Sequence, residues 1–91
     1  RDEYRCIVCG FQSNLQMAEE QLDAHHITNR NEMPHGGYVA ENGATLCQPC
    51  HKLAEAHLQG RQDIPSHSTD VLYERIGSSP EKARLAAEVV L

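Results

Sequence analysis

The adjacent histidines His25 and His26 are the residues of this sequence whose type and position point most directly to chemistry. They lie between Leu22 and Ile27, and apolar neighbours of this kind indicate a short, half-buried strand. A buried imidazole needs a partner, which is a hydrogen bond, a metal ion or a substrate. We therefore expect this stretch to contain the functional site.

The four cysteines form a second candidate site. They occur as two C-x-x-C pairs, Cys6/Cys9 and Cys47/Cys50, separated by a long insert. This spacing is typical of a structural zinc site with four thiolates, and two disulfides are the alternative. Gly10, directly after Cys9, permits the tight turn that such a site needs.

The composition also favours a metal site. Of the 91 residues, 40% are hydrophobic, with one Phe and no Trp. Such a chain forms one small domain and cannot bury a large core, so a bound metal is an expected source of stability.

No apolar run approaches the length of about 18 residues that a transmembrane helix needs, and no signal-peptide pattern is present. We therefore expect a soluble, cytoplasmic protein with no membrane partner. The chain begins at Arg1 rather than Met, so a signal upstream of it lies outside this expectation.

The formal net charge of −5 is unfavourable for nucleic-acid binding, which depends on Lys and Arg releasing counterions. Basic residues nevertheless lie close in sequence to the candidate motifs: Arg5, Arg30, Lys52 and Arg61. A nuclease can also bring positive charge as a bound divalent ion. We therefore expect contacts with DNA to be local, weak and sensitive to salt.

A hairpin followed by a helix is predicted to position the two histidines. The first strand spans residues 22–27, and the polar segment 28–37, which ends in two glycines, is predicted to be a loop. The returning strand begins either near Tyr38 or at Gly43, and Asn42-Gly43 is by itself a strong turn pair.

The second cysteine pair opens the predicted helix. Pro49 is tolerated in a first turn, residues 51–59 favour a helix, and Gly60 ends it. Ahead of the hairpin, residues 13–21 fit a short helical turn or an irregular link.

A polar linker, residues 61–69, leads to two C-terminal helices. Asp70 is predicted to cap a helix over residues 71–76. Ser79 is predicted to cap the last helix, with Pro80 at its first position. The apolar residues of this helix form a stripe that packs on the domain or on a second subunit: Ala83, Leu85, Ala86, Val89 and Val90.

Taken in order, the motifs are C-x-x-C, His25-His26, Asn42 and Cys47-x-x-Cys50-His51. This order resembles the HNH endonuclease family, over a stretch from about Arg5 to Glu55. The resemblance implies an α+β fold, a small ββα-metal (His-Me finger) domain with a two-stranded antiparallel hairpin, flanking helices and a zinc-clamped knuckle. Residues 1–60 would be this nuclease core, and residues 61–91 the linker and C-terminal helices.

The resemblance also implies a role for each site residue. His26 matches the general base, and Asn42 matches the residue that orients it through the hairpin backbone. His25 stands where many relatives have Asp, and with His51 it would bind the catalytic divalent ion. Because imidazole binds Mn²⁺ and Ni²⁺ more readily than Mg²⁺, we expect these ions to support activity at least as well as Mg²⁺.

Helix geometry singles out Glu55 as a further contact. Steps of 100° place Glu55 about 40° from His51 on one helix face, which suits a third ligand or a contact with a ligand. His57 lies about 120° away and is expected to interact with the last-turn carbonyls. The same reasoning leaves one difficulty, because adjacent strand residues such as His25 and His26 point to opposite faces unless the strand bends or ends there.

The predicted function is metal-dependent hydrolysis of DNA phosphodiester bonds, by nicking or double-strand cleavage. Arg30, Lys52 and His35 are candidate substrate contacts, although an exposed loop position explains His35 equally simply. A homodimer through the C-terminal helices is a further expectation.

Two other functions fit parts of the pattern. A zinc ribbon that binds nucleic acid or protein explains the cysteines but leaves His25-His26 and Asn42 unexplained. The segment Cys47–His51 also matches the C-x-x-C-H pattern of covalent haem attachment, which requires a secreted apoprotein and has no use for the first cysteine pair.

Overall fold

A two-stranded antiparallel sheet lies at the centre of the computed structural model, which describes residues 3–89. Strand β1 (Leu22–His26) pairs with β2 (Gly43–Cys47), with Leu22 opposite Cys47 and His26 opposite Gly43. The helices of the described region are α1 (Ala18–Gln21), α2 (Gln48–Leu58), α3 (Thr69–Arg75) and α4 (Pro80–Glu88). The order β1, β2, α2 and the cysteine cluster beside the hairpin are those of the predicted ββα-metal fold.

The interstrand loop, residues 27–42, connects the two strands through three short 3₁₀ segments, Arg30–Glu32, Pro34–Gly37 and Ala40–Asn42. Of the two predicted returning strands, the structure has the one that begins at Gly43. The prediction of a turn at Asn42-Gly43 is wrong, because Gly43 is extended (φ −113°, ψ 134°) and Asn42 is completely buried. The Asn42 side chain binds the other end of the loop instead of its own turn.

Helix α2 follows β2 without a connecting loop, so the hairpin and the helix are held in a fixed relation. Pro49 occupies its first turn, where a missing N–H costs nothing. Gln59 ends it, and Gly60 then adopts a positive φ of 74°. These boundaries match the predicted helix.

The caps of the two C-terminal helices were predicted with mixed success. Ser79 caps α4, as predicted, but Asp70 does not cap α3. Ser68 does so instead: its Oγ accepts a hydrogen bond from the Val71 backbone N–H at 3.3 Å. Asp70 lies in the first turn, because the chain becomes helical already at Thr69.

Helix α4 packs against the interstrand loop through its small residues. Ala83 and Ala87 are buried, whereas Leu85 is 64% and Val89 is 77% exposed. The predicted apolar stripe is therefore only partly correct, because steps of 100° place Leu85 and Val89 on the face of the helix opposite to Ala83 and Ala87. Its last member, Val90, lies outside the described residues.

The core joins the sheet to α2, α3 and α4. Its largest fully buried side chains are Tyr73, Ile27, Leu46, Leu72, Asn42 and Cys6. The polar groups of Tyr73 and Asn42 form hydrogen bonds inside the protein. Within residues 3–89, no helix has the length and apolarity needed to cross a membrane.

Candidate functional site

The four cysteines come together where residues 5–12, the N-terminal knuckle closed by the bridge between Arg5 and Gln12, meet β2 and α2. Their Sγ atoms all lie within 4.8 Å of one another, and none forms a disulfide. Cys9 Sγ is 3.6 Å from Cys47 Sγ. Tetrahedral zinc with Zn–S bonds of about 2.3 Å places its sulfurs about 3.8 Å apart, so this cluster fits the metal. The cluster therefore supports the predicted zinc site, and the free thiols contradict the alternative of two disulfides.

Backbone groups of β2 and of the knuckle surround the thiol of Cys6. Gly10 has a φ of 82°, and its N–H donates to the Cys6 carbonyl at 3.1 Å, which closes the tight turn. Burial raises the pKa of Cys6, but hydrogen bonds from the backbone of Cys47, Cys9 and Val8 outweigh it and lower this pKa to about 6. A thiolate is the form that binds a metal ion.

A second group joins β1 to α2 and consists of His25, His51 and Glu55, with one possible ligand atom of each within 4.8 Å of the others. Glu55 Oε1 lies 3.3 Å from His25 Nδ1 and 3.4 Å from His51 Nε2. The two imidazole rings meet edge to face at a centroid distance of 5.2 Å. Helix geometry places Glu55 beside His51, and the packing of α2 on β1 brings it to His25 as well.

The surroundings of His25 suit a metal-binding histidine better than one in contact with water. It is 3% exposed, and its Nδ1 makes no hydrogen bond within residues 3–89, although Glu55 is close. Burial lowers the pKa of His25, a change that Glu55 opposes and His51 reinforces, so the neutral imidazole is favoured. A buried nitrogen without a hydrogen bond, beside a second imidazole and a carboxylate, fits a transition-metal ion.

Asp23 is a member of this site that the sequence reasoning missed. Its Oδ2 lies 3.1 Å from His51 Nδ1, on the opposite side of the ring from the contact with Glu55. Asp23 and His25 are two residues apart in β1, so both face α2. That alternation was visible in the sequence, but His51 as the partner was not.

His26 lines an open cleft together with two members of this group, His51 and Glu55. It is the last residue of β1 and is half-buried. The cleft has a volume of about 780 Å³ and is also lined by Arg30. The adjacent histidines are related through His51 and Glu55, which contact His25 and line the cleft with His26.

The Tyr38 ring contacts His26 from the interstrand loop. The two rings meet edge to face at 4.7 Å, and the Tyr38 hydroxyl accepts a hydrogen bond from Arg30 Nη1 at 2.9 Å. Gly36 lies beneath this ring, since a Cβ at that position would be 2.7 Å from it. Gly36 therefore lets one aromatic side chain contact both His26 and the cation beside it.

Asn42 forms the centre of a buried hydrogen-bond network. Its Oδ1 accepts from the Thr28 N–H at 2.9 Å and from the Tyr73 hydroxyl at 2.7 Å. Its Nδ2 donates to the carbonyls of Thr28 at 3.1 Å and Gly37 at 3.2 Å. Asn42 has no exposed surface, and its side chain joins the two ends of the loop that follows His26.

The family model described as HNH endonuclease matches residues 6–56. The chain belongs to the HNH endonuclease family. The match contains both C-x-x-C pairs and covers the stretch on which the resemblance was based. Comparisons with curated proteins and with solved structures find no similar protein.

Other residues predicted from the sequence lie at the edge of the group formed by His25, His51 and Glu55 or away from it. Lys52 is exposed on α2 and lines a neighbouring cleft with His51, Glu55 and Arg61. His35 is exposed on the interstrand loop, where it adopts a φ of 53°.

His57 is not part of that group, as expected, but its predicted partners are wrong. Its Nδ1 accepts a hydrogen bond from the Ile64 backbone N–H at 2.9 Å instead of contacting the last-turn carbonyls of α2. The ring thereby ties the linker after α2 to the helix. This contact depends on where the chain returns after Gly60, which helix geometry alone does not specify.

Proposed function

We propose that this HNH domain is a metal-dependent endonuclease that hydrolyses phosphodiester bonds of DNA. The observation that carries the proposal is the cleft in which His26 lies beside His51 and Glu55, with the buried His25 in contact with both. A module that only binds nucleic acid or protein through its cysteine site has no need of this second group.

Nδ1 of His25 and Nε2 of His51 are the atoms that would bind the catalytic divalent ion, with Glu55 Oε1 as a third ligand. When bound, the ion offsets negative charge on the scissile phosphate and on the departing oxygen. Two imidazoles favour Mn²⁺ or Ni²⁺ over Mg²⁺, because Mg²⁺ prefers oxygen ligands.

His26 acts as the general base. Its half-buried ring borders the cleft, where it takes a proton from the attacking water. The water oxygen then forms a bond to phosphorus while the bond from phosphorus to the 3′ oxygen breaks. The departing oxygen takes up a proton from solvent, so the products carry a 5′-phosphate and a 3′-hydroxyl.

Asn42 acts indirectly. Its amide joins Thr28 to Gly37 across the interstrand loop and so holds the backbone immediately after His26. It is therefore a positioning residue, as the family resemblance implied.

DNA is the proposed partner, bound through few cations. Arg30 lines the cleft, Lys52 lines the neighbouring one, and His35 extends from the loop. With a net charge of −5, binding should be weak, sensitive to salt and of low sequence preference. Pairing of two copies through α4 stays a prediction, for which Leu85 and Val89 provide the exposed apolar surface.

Plasmid nicking with Mn²⁺ tests the proposal, with wild type compared to His26→Ala. A general base contributes about 100-fold or more, so the variant should nick at least about 100-fold more slowly. Zinc content and thermal unfolding of the two proteins should agree, which shows that the fold is intact. Equal nicking by both would rule out His26 as the base, and an inactive, zinc-loaded wild type would favour a binding module.

A further inference from the structure

Tyr73 connects α3 to the network around Asn42. The tyrosine is 2% exposed, and its hydroxyl donates to Asn42 Oδ1 at 2.7 Å. The same hydroxyl oxygen lies 2.6 Å from Thr28 Oγ1. Because the single tyrosine proton points to Asn42, the Thr28 hydroxyl must donate to Tyr73. One buried side chain thus binds both ends of the interstrand loop.

The position of Tyr73 in the chain distinguishes it from the other partners of Asn42. Thr28 and Gly37 both belong to the interstrand loop, so their bonds to Asn42 hold the loop together but do not anchor it elsewhere. Tyr73 lies outside residues 6–56, the part that matches the HNH family model. Its hydroxyl therefore fixes the loop to the C-terminal helices of this chain.

The hydroxyl itself, and not only the ring, is needed for this contact. A phenylalanine would fill the same apolar space but would leave Asn42 Oδ1 with the Thr28 N–H alone. Burial raises the pKa of Tyr73, so the hydroxyl keeps its proton and remains a donor at neutral pH. Two short hydrogen bonds to one buried hydroxyl hold its partners, Asn42 and Thr28, in one arrangement.

We propose that Tyr73 is a positioning residue for the reaction: through Asn42 and Thr28 it holds the start of the interstrand loop, and hence His26, in the catalytic geometry. The proposal rests on the proposed nuclease function. It also means that catalysis depends on the C-terminal segment, because α3 supplies Tyr73.

The test is Tyr73→Phe in the full, zinc-loaded chain, with Tyr4→Phe as the matched control because Tyr4 is 44% exposed and lies near the knuckle. Tyr73→Phe should lower kcat for nicking at least about tenfold, since small displacements of reacting groups are costly. KM and the affinity for Mn²⁺, measured by calorimetry, should stay within about twofold of wild type. Tyr4→Phe should behave as wild type.

Two further measurements separate positioning from stability. The NMR signals of the Asn42 side-chain amide and the Thr28 backbone amide should shift in Tyr73→Phe, and the Thr28 amide should exchange faster. Thr28→Val, which removes the other hydroxyl, should also lower kcat, and Thr28→Ser should restore it. An unchanged kcat in Tyr73→Phe, with only a lower melting temperature, would overturn the proposal.

Failure of the proposed function would be recognised separately. A wild type that does not nick DNA refutes the nuclease proposal, while the two amide signals still report on Asn42. If they move in Tyr73→Phe, Tyr73 positions Asn42 as inferred; if they do not, that inference is wrong as well.

Discussion

The carboxylate of Asp23 lies 3.1 Å from Nδ1 of His51, across the contact between β1 and α2. An ionised carboxylate only accepts hydrogen bonds, so it favours the His51 tautomer with the proton on Nδ1. Nε2 is then unprotonated, with its lone pair on the side of Glu55. The strand thus supplies one histidine of the group and orients the other.

Asp23→Ala should therefore weaken binding of Mn²⁺ or Ni²⁺ by about 10- to 100-fold, the usual effect of losing a residue that orients a metal ligand. Isothermal titration calorimetry on the zinc-loaded protein measures this. Asp63→Ala is the control, because the Asp63 side chain is 90% exposed. Equal affinities for the two variants would show that Asp23 does not orient His51.

Cys6→Ser should abolish tight zinc binding and unfold most of the domain. The four thiols join the knuckle to β2 and α2, and structural zinc binding is coupled to folding. Metal analysis and circular dichroism record the two losses. Chelation of the wild type should reproduce the unfolding, and added zinc should reverse it in the wild type only; a folded, metal-free variant would contradict this view of the site.

Gly37→Ala should disturb both the Asn42 side chain and Met33. An added Cβ would be 2.7 Å from Asn42 Nδ2 and 2.9 Å from Met33 Cβ, and the φ of 68° adds strain. Gly60→Ala is a matched control, since its φ of 74° carries similar strain, about 1 to 2 kcal/mol, with nothing within 4 Å of the Cβ. Denaturant unfolding should show Gly37→Ala to be less stable than Gly60→Ala by about 1 to 3 kcal/mol, the cost of displacing a buried polar group. Equal losses of stability in the two variants would mean that the interstrand loop shifts to make room for the added Cβ.

Arg30→Ala and Lys52→Ala should each weaken DNA binding about equally for all sequences, because phosphate contacts carry no sequence information. Each should also lower the slope of log affinity against log salt concentration by about 1. Fluorescence anisotropy across a salt series gives this slope, with Lys82→Ala on α4 as the control. A slope that matches the control would exclude that cation from the DNA contact.

His67 should make stability depend on pH. Burial, and then the charges of Arg75 and His57, lower the pKa of His67 below its ordinary value of 6.5. Between the folded and unfolded pKa values the unfolded chain binds more protons, so the free energy of unfolding falls as pH drops below about 6.5. Denaturant unfolding at several pH values should show a shallower fall for His67→Phe; parallel curves would assign the acid sensitivity to other groups.

Much of the fold could be predicted because its signals are local. Two C-x-x-C pairs, Gly10 after Cys9 and the Ser79-Pro80 helix start each specify a short backbone geometry from neighbouring residues alone. The same applies to His51 and Glu55, which one helical turn brings together. Where two local signals competed, as at the cap of α3, the prediction chose Asp70 and the structure has Ser68.

The sequence by itself thus predicted the order of hairpin and helix and the four-cysteine cluster, and its family resemblance pointed to His25, His26, Asn42 and His51. Only the tertiary structure decided that the second strand of the hairpin begins at Gly43, that Asp23 contacts His51, and that Tyr73 binds Asn42. These contacts join residues 28 and 31 positions apart. No periodicity encodes such a pair, because it depends on how whole elements pack and on the need of each buried polar atom for a partner.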